Sequence, residues 1–375
     1  MGLRTILERM LKSPVARGRA VPEEWWDDVP VDIQTRVFAA APEQRPLELN
    51  RIASEAAATI ANGLTSDTRD VLADERRMGA GFDRRLHRRW APAFDAYRLA
   101  ITVDREVGVR ARDRYAEALG DDPRFSAIVS LHARSCLTSR EILSLISHGY
   151  GKGAEARWRT LHELAVTAIV LREASGEISQ RYLEHASIRH AKDAEDFQAK
   201  AQRMGEEPLD AATLEALRQT RVKLLDKWGA RFDRDNGWAA PLFGHPPTFT
   251  ELEKRAELDH LRPYYNLGLH QIHAGARGAQ LALFERGGQQ MIQTGPGNTG
   301  FAEIAHASLI SMTNITVSLL LLPKSPSYMA VVLTGALREL VRRAGDLFGE
   351  IELKIRAEEE ALYPPEVDTS AASYP

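Results

Sequence analysis

Three consecutive helical segments between Ser126 and about Lys200 constrain the fold of this chain most strongly. Apolar residues recur in them at three- and four-residue spacing, as Ile128 and Leu131 do in the first. Charged and imidazole side chains lie inside these apolar faces. Strand patterns are scarce elsewhere, and residues 281–294 fit either a small β-hairpin or a disordered loop. We therefore predict an all-α fold, built as a large helical bundle.

Length and composition fit one large domain with N-terminal additions. The chain has 375 residues, of which 44% are apolar and 27% charged, and its net charge is -3. This balance gives no global preference for nucleic acid or membrane surfaces. Cys136 is the only cysteine, so an intramolecular disulfide and a multi-cysteine zinc site are excluded. A cytoplasmic location is expected.

The order of patterns along the chain predicts four parts. The N-terminal cap includes an amphipathic helix within residues 1–20 and an aromatic plug at Trp25 and Trp26. The parts are a helical cap (1–80), a central helical domain with a polar cluster (81–290), long helices packed on the same bundle (291–363) and a flexible tail (364–375).

Residues Ile304 to Leu322 are apolar enough to resemble a membrane span. His306 and Asn314 would be costly in lipid, so we predict a buried core helix and no membrane partner. On the helix before Gly120, Asp104 interrupts an apolar stripe. It is either paired in the core or marks the point where that face becomes exposed.

The strongest candidate site begins the second central helix. Glu155, Arg159 and Glu163 are spaced four residues apart, and His162 lies beside them. An arginine between two carboxylates is fixed in direction and keeps both carboxylates ionised. Val166 continues the same side, so Glu163 lies where the helix enters the core. The pattern is typical of a structural ion-pair network, with a catalytic site as the alternative.

Two further helices carry imidazole groups. Asn266, His270 and His273 follow one another on one face of a helix from Pro263 to about Gly275. A metal there would need ligands from elsewhere, such as His185, because no acid lies in the same turn. We predict neither a metal nor a cofactor. Arg181 and His185 form another pair, in which His185 has the pattern of a core histidine.

Two more segments have alternative interpretations. Arg84, Arg85, His87, Arg88 and Arg89 with Trp90 form either a solvated helix face or a nucleic-acid contact. Residues 236–250 are rich in glycine, proline and aromatic side chains, which is typical of a lid, a binding loop or a packed connector. Residues 295–300 are glycine-rich but lack the lysine of a phosphate loop.

Several motifs together resemble a known family. They are "FDRRLHRRW" (82–90), Arg140-Glu141-Ile142, "GAEARWRTLHEL" (153–164), "RYLEHASI" (181–188) and "YYNLGLHQIHAG" (264–275). They resemble an uncharacterised, mostly bacterial helical family, domain of unknown function 5677, over roughly residues 82–290. The resemblance implies a helical domain and no activity. The positions that it marks are Arg159, Glu163, His185, Tyr265 and His270.

A looser analogy concerns the metal-independent ribonucleases among the higher-eukaryote and prokaryote nucleotide-binding (HEPN) domains. Their Arg-x4-His spacing occurs from Arg157 to His162 and from Arg255 to His260, and roughly one such match is expected by chance. The analogy implies an arginine that holds phosphate while an imidazole moves protons. Trp158 departs from it, because the small polar residue expected after the arginine is missing.

Two hypotheses follow. The first is a non-catalytic helical sensor or interaction module of a bacterial defence or stress system, and the second is a HEPN-like ribonuclease or another nucleotide-acting enzyme. Partners would be a protein or RNA and nucleotides, and a homo-oligomer is compatible with both. The catalytic candidates are Arg159, His162, Glu163, His185, His270 and His273, and the substrate-binding candidates are Arg157, Arg181, Tyr265 and Asn266.

Overall fold

The computed structural model describes residues 30–286 and 289–363, except for the side chains of Val71, Glu285 and Arg286. The predicted helix within residues 1–20, the Trp25–Trp26 plug and the tail 364–375 lie outside the described residues. The all-α prediction is confirmed for the described part. Its sheet is one antiparallel hairpin, β1 (Leu283–Arg286) and β2 (Gln289–Ile292), in which Leu283 lies opposite Ile292.

The helices follow the predicted segments closely. In chain order they are α1 (Val31–Phe38), α2 (Arg45–Ser66), α3 (Thr68–Val71), α4 (Ala73–Leu119), α5 (Pro123–Ser147), α6 (Gly151–Glu173), α7 (Gly176–Met204), α8 (Ala211–Trp228), α9 (Ala240–Phe243), α10 (Phe249–Arg255), α11 (Arg262–Ile272), α12 (Ala276–Gln280), α13 (Ala302–Leu320) and α14 (Tyr328–Leu362). Short 3-10 turns cover Ala230–Asp233, Gly237–Ala239 and Asp259–Leu261.

Contacts divide the chain into two compact units. Among the described residues, the first contains 30–81 and 190–218, and the second contains 82–189, 219–286 and 289–363. In the first unit α1 packs on α2 around a small apolar core of Val37, Leu49 and Ile52. Every candidate site residue named above belongs to the second unit.

The second unit is built around α6 and α13. Helix α6 packs against α5, α13 and α11, and α13 also packs against α5 and α14. Helix α13 is buried along most of its length, as its apolar sequence predicts. Over residues 30–286 and 289–363, no helix combines the length and the apolar character that crossing a membrane requires.

The hydroxyl groups of α13 have polar partners in the core. The Ser308 hydroxyl lies 2.8 Å from the Tyr97 hydroxyl, and the Trp158 indole donates to Ser311 over 3.1 Å. Burying a hydroxyl without a partner costs free energy, whereas these contacts satisfy it. The polar residues of α13 therefore fix its rotation against α4 and α6.

Asp104 is paired in the core. Its carboxylate accepts hydrogen bonds from Thr313, over 2.5 Å, and from Thr316, both on α13. Burial raises the pKa of Asp104 to about 6, and the two threonine hydrogen bonds act against this rise. The neighbouring His132 is also buried, and burial lowers its pKa to about 4 against the effect of its hydrogen bond with the Asp104 backbone.

The glycine-rich segment before α13 binds an internal carboxylate. Glu352 of α14 accepts from the backbone N–H groups of Gly300, over 2.7 Å, and Phe301, over 3.1 Å. Glu352 is itself buried, and Arg356 lies beside it at 3.3 Å. The backbone donors at the start of α13 are thus neutralised from within the protein.

The basic stretch on α4 is an exposed face over an aromatic core. Trp90 is fully buried, with its ring centroid 5.0 Å from Phe301 and 5.6 Å from Phe348. It is therefore inaccessible for stacking on a base. Arg89 pairs with Glu358 at 2.9 Å, with both side chains exposed.

Candidate functional site

The buried carboxylate of Glu253 links three helices of the second unit. The His162 Nε2 on α6 lies 2.8 Å from Glu253 Oε1 on α10, and both side chains are 0% exposed. The other Glu253 oxygen pairs with Arg262 on α11, which also donates to Thr250 over 2.7 Å. A buried carboxylate requires such charged and hydrogen-bonded partners.

Aromatic rings surround this contact. The His162 ring lies 5.1 Å from Trp158, 6.0 Å from Phe249 and 5.7 Å from Tyr265, measured between centroids. The Nε2 atom of His162 is placed to donate a hydrogen bond to this carboxylate, which only accepts. The Nδ1 atom has no hydrogen-bond partner among the described residues. The imidazole is thus enclosed by protein on every side that the structure describes.

A second polar chain runs beside the first and reaches the surface. The Arg159 guanidinium donates to the Tyr265 hydroxyl over 2.7 Å and stacks on its ring, and that hydroxyl donates to Glu163 over 2.7 Å. Burial, followed by the negative Glu163, raises the pKa of Tyr265 to about 12. Tyr265 therefore stays protonated at neutral pH and links the arginine to the carboxylate.

The predicted Glu155–Arg159–Glu163 ladder forms only in part. Within the described residues, the ion pair of Arg159 is with Glu163, at 3.8 Å. Burial, with the negative charge of Glu303, raises the pKa of Glu155 to about 6, while Lys152 and a hydrogen bond with Gln271 oppose the rise. The prediction of an arginine held by both carboxylates was wrong, because the guanidinium turns toward the Tyr265 ring instead.

Gly268 lets α11 approach α6 at this place. A Cβ atom on Gly268 would lie 3.0 Å from the Glu155 carbonyl oxygen and 3.1 Å from the Arg159 Cγ. These distances are shorter than ordinary van der Waals contact. A side chain at position 268 would push α11 away, so this glycine sets the distance between Arg159 and Tyr265.

Arg157 and His162, which form the first Arg-x4-His pair, contact different helices. Arg157 binds Glu141 on α5, and its guanidinium lies 3.4 Å from the Thr160 hydroxyl. His162 faces α10 instead. Five residues on a helix turn the side chains about 140° apart, which is why Arg157 contacts α5 while His162 contacts α10.

Arg181 and His185 bind the backbone of a loop. Arg181 is buried and donates to the carbonyls of Trp238, over 3.1 Å, and Gly237, over 3.2 Å. The His185 Nε2 lies 3.1 Å from the Arg234 carbonyl oxygen. The core role predicted for His185 corresponds to this contact, and both residues hold residues 234–238 in place.

The predicted line of Asn266, His270 and His273 is broken. Helix α11 ends at Ile272, and His273 adopts an extended conformation with φ -97° and ψ 138°. The chain then turns into α12, so His273 leaves the helical face and is exposed. Asn266 is also exposed and His270 is half-buried, and the structure records no hydrogen bond or ion pair of the two imidazoles with other described residues. Among the described residues, no group of three or more His, Cys, Asp or Glu side chains is placed to hold a metal ion.

Residues 125–290 match a family model, that of DUF5677, a family of unknown function. This segment is similar to the DUF5677 family, and we call it the DUF5677 segment. No curated protein and no solved structure matches the chain. The DUF5677 segment starts later than the resemblance suggested, so the basic stretch 82–90 lies outside it. Every candidate site residue lies inside it, whereas α13 and α14 do not.

Sequence reasoning missed two charged residues of the DUF5677 segment, Glu253 and Arg262. Glu253 lies four residues after Phe249 and three before Ala256, which are both packed in the core, so it is an acid within an apolar stripe. That signal was present in the sequence. Arg262 begins α11 and has no comparable local signal, because its partner is fixed only by the packing of α10 against the chain that follows.

Proposed function

We propose that this chain is a non-catalytic helical sensor or interaction module. The observation that carries the proposal is the complete burial of His162 and Glu253, the acid–base pair best suited to proton transfer. A general acid or base must come within hydrogen-bond reach of its substrate. The buried pair instead supports a role in fixing how α6, α10 and α11 pack.

The dispersion of the other candidates supports the same proposal. Arg157 binds α5, and Arg181 and His185 bind a loop, so these groups act at separate places. Of the linked residues Arg159, Tyr265 and Glu163, the Glu163 side chain is 47% exposed and offers the most accessible polar group. That the protein belongs to a bacterial defence or stress system stays a prediction.

The competing hypothesis, a ribonuclease or nucleotide-acting enzyme, makes Glu163 its most accessible acid. We propose to incubate the wild-type protein and the Glu163→Gln variant with a single-stranded RNA oligonucleotide and with ATP. Neither protein is expected to form more cleaved RNA or hydrolysed ATP than a protein-free blank. Turnover by the wild type that Glu163→Gln removes, with an unchanged melting temperature, would contradict the non-catalytic proposal.

A further inference from the structure

An open cleft lies in the second unit, between the 3-10 turns after α8 and the start of α10. Its volume is about 800 Å³, within the range of small-molecule sites. The residues that give it its chemistry are Arg231, Arg234, Asn236, Pro246, Pro247 and Phe249. Four of them lie in the segment 236–250, for which a binding loop was one interpretation of the sequence, whereas Arg231 and Arg234 were not predicted.

The walls of the cleft are fixed by contacts from outside it. Arg181 and His185 hold the carbonyls of residues 234, 237 and 238, as described above. The Arg181 guanidinium lies 4.8 Å from the Trp228 ring and 5.1 Å from the Phe232 ring, and burial lowers its pKa. Burying a guanidinium costs free energy, which the hydrogen bonds to carbonyls and the contacts with ring faces offset. These contacts leave the loop preorganised.

Asn236 joins the two sides of the cleft. Its backbone is left-handed, with φ 54°, and its side-chain amide donates to the Pro247 carbonyl over 3.0 Å. Asparagine tolerates this conformation better than most residues. Because residues 236 and 247 are thus joined, the cleft has a defined width without a ligand.

The cleft presents unpaired positive charge. The Arg234 guanidinium makes no hydrogen bond or ion pair within the part of the chain that the structure describes, and Arg231 gives one donor to the Gly244 carbonyl. The acid of the lining, Asp235, pairs with Arg189 at 3.3 Å. Guanidinium donors in this setting suit phosphate or carboxylate oxygens.

The opposite wall is apolar and carries a ring. Pro246, Pro247 and Phe249 line the cleft, and the Phe249 ring packs 5.1 Å from the Tyr265 ring. Planar or apolar groups can stack on such a surface while the charged end meets the arginines. We propose that this cleft binds a small organic phosphate of mononucleotide size, with its phosphate at Arg234 and Arg231 and its planar part against Pro246, Pro247 and Phe249. The proposal holds whether or not the DUF5677 polar cluster has a chemical role.

Isothermal titration calorimetry of the full chain tests the proposal, with AMP, adenosine and inorganic phosphate as probes. AMP is expected to bind more tightly than either of the others. Arg234→Gln should weaken AMP binding by about tenfold or more, because a charge-assisted hydrogen bond to phosphate is lost. Arg231→Gln should weaken it as well. Arg338→Gln on α14, which removes an exposed charge outside the cleft, is the matched control and should leave the affinity within about twofold.

Three results would overturn the proposal. They are no binding of AMP at millimolar concentration, equal binding of AMP to the wild type and both cleft variants, and phosphate binding as tightly as AMP. Melting curves of Arg234→Gln and Arg231→Gln should match the wild type, because both side chains are exposed. A loss of AMP binding that accompanies unfolding in one variant is checked against the other.

Discussion

At the scale of single residues, Asp104 and His132 place two titratable groups side by side in the core with opposite shifts. The pKa of Asp104 is raised from 3.8 to about 6, and the pKa of His132 is lowered from 6.5 to about 4. Both shifts favour the neutral form, because burial penalises charge in each case. Their effects on the pH dependence of stability are opposite in sign.

Between about pH 4 and pH 6 the folded state binds more protons than the unfolded state at Asp104, so this residue makes stability fall as pH rises. Between about pH 4 and pH 6.5 the unfolded state binds more protons at His132, so this residue makes stability rise with pH. The two contributions oppose each other over most of this range.

We predict that single substitutions separate the two contributions. Relative to the wild type, Asp104→Asn should gain stability as pH rises from 4 to 6, and His132→Gln should lose stability over the same range. Each change should amount to about 2 kcal/mol, because only part of the effect of a two-unit pKa shift develops between pH 4 and pH 6. Urea denaturation at several pH values measures both. Slopes of the same sign for the two variants would refute the assigned shifts.

At the scale of secondary-structure elements, the contact of α6 with α11 depends on the absence of a side chain at Gly268. The neighbours at that point are the Glu155 backbone carbonyl, which moves only with α6, and the Arg159 side chain, whose first carbons are packed against Gly268. The polar chain from Arg159 through Tyr265 to Glu163 lies next to this contact. A shift of α11 would therefore separate these partners as well.

We predict that Gly268→Ala lowers the free energy of unfolding by about 1–3 kcal/mol, because overpacking displaces α11. Gly335 provides the matched control. It lies inside α14, and a Cβ there would have no neighbour within 4 Å. Gly335→Ala should stabilise the protein by about 0.5–1 kcal/mol through the higher helix propensity of alanine. Equal effects of the two substitutions on chemical denaturation would argue against a tight α6–α11 contact.

At the scale of the whole molecule, helical periodicity predicted the all-α class and the buried character of α13, whereas the turn residues near 281–294 left a hairpin and a disordered loop as alternatives. Local pattern is enough for such features, because apolar residues at helical spacing must face a core. Helical periodicity does not show how the chain divides into compact units. Residues 190–218 belong with the N-terminal unit although they lie within or after the central helices.

Contacts between residues that are distant in the chain were not predicted from the sequence. Asp104 and Thr313 are separated by 209 residues, and His162 and Glu253 by 91. A sequence shows that a charged residue on an apolar face needs a partner, but the tertiary packing decides which one. For the same reason the predicted Glu155–Arg159 pair and the Asn266–His270–His273 line were wrong, whereas the position of Arg159 and Glu163 beside one another was correct.

We infer that the buried pair of His162 and Glu253 holds helices α6, α10 and α11 together, and the free energy of unfolding of Glu253→Gln tests this inference. This change keeps the shape of the side chain but leaves Arg262, 24% exposed, without its counter-charge. We expect a loss of roughly 2–4 kcal/mol, which is typical of a broken buried pair.

Glu358→Gln, which breaks the exposed pair with Arg89, is the matched control and should change the free energy of unfolding by less than about 0.5 kcal/mol. A loss for Glu253→Gln well beyond the control would support the structural role. If Glu253→Gln unfolds like the wild type and like Glu358→Gln, the buried pair does not hold these helices together.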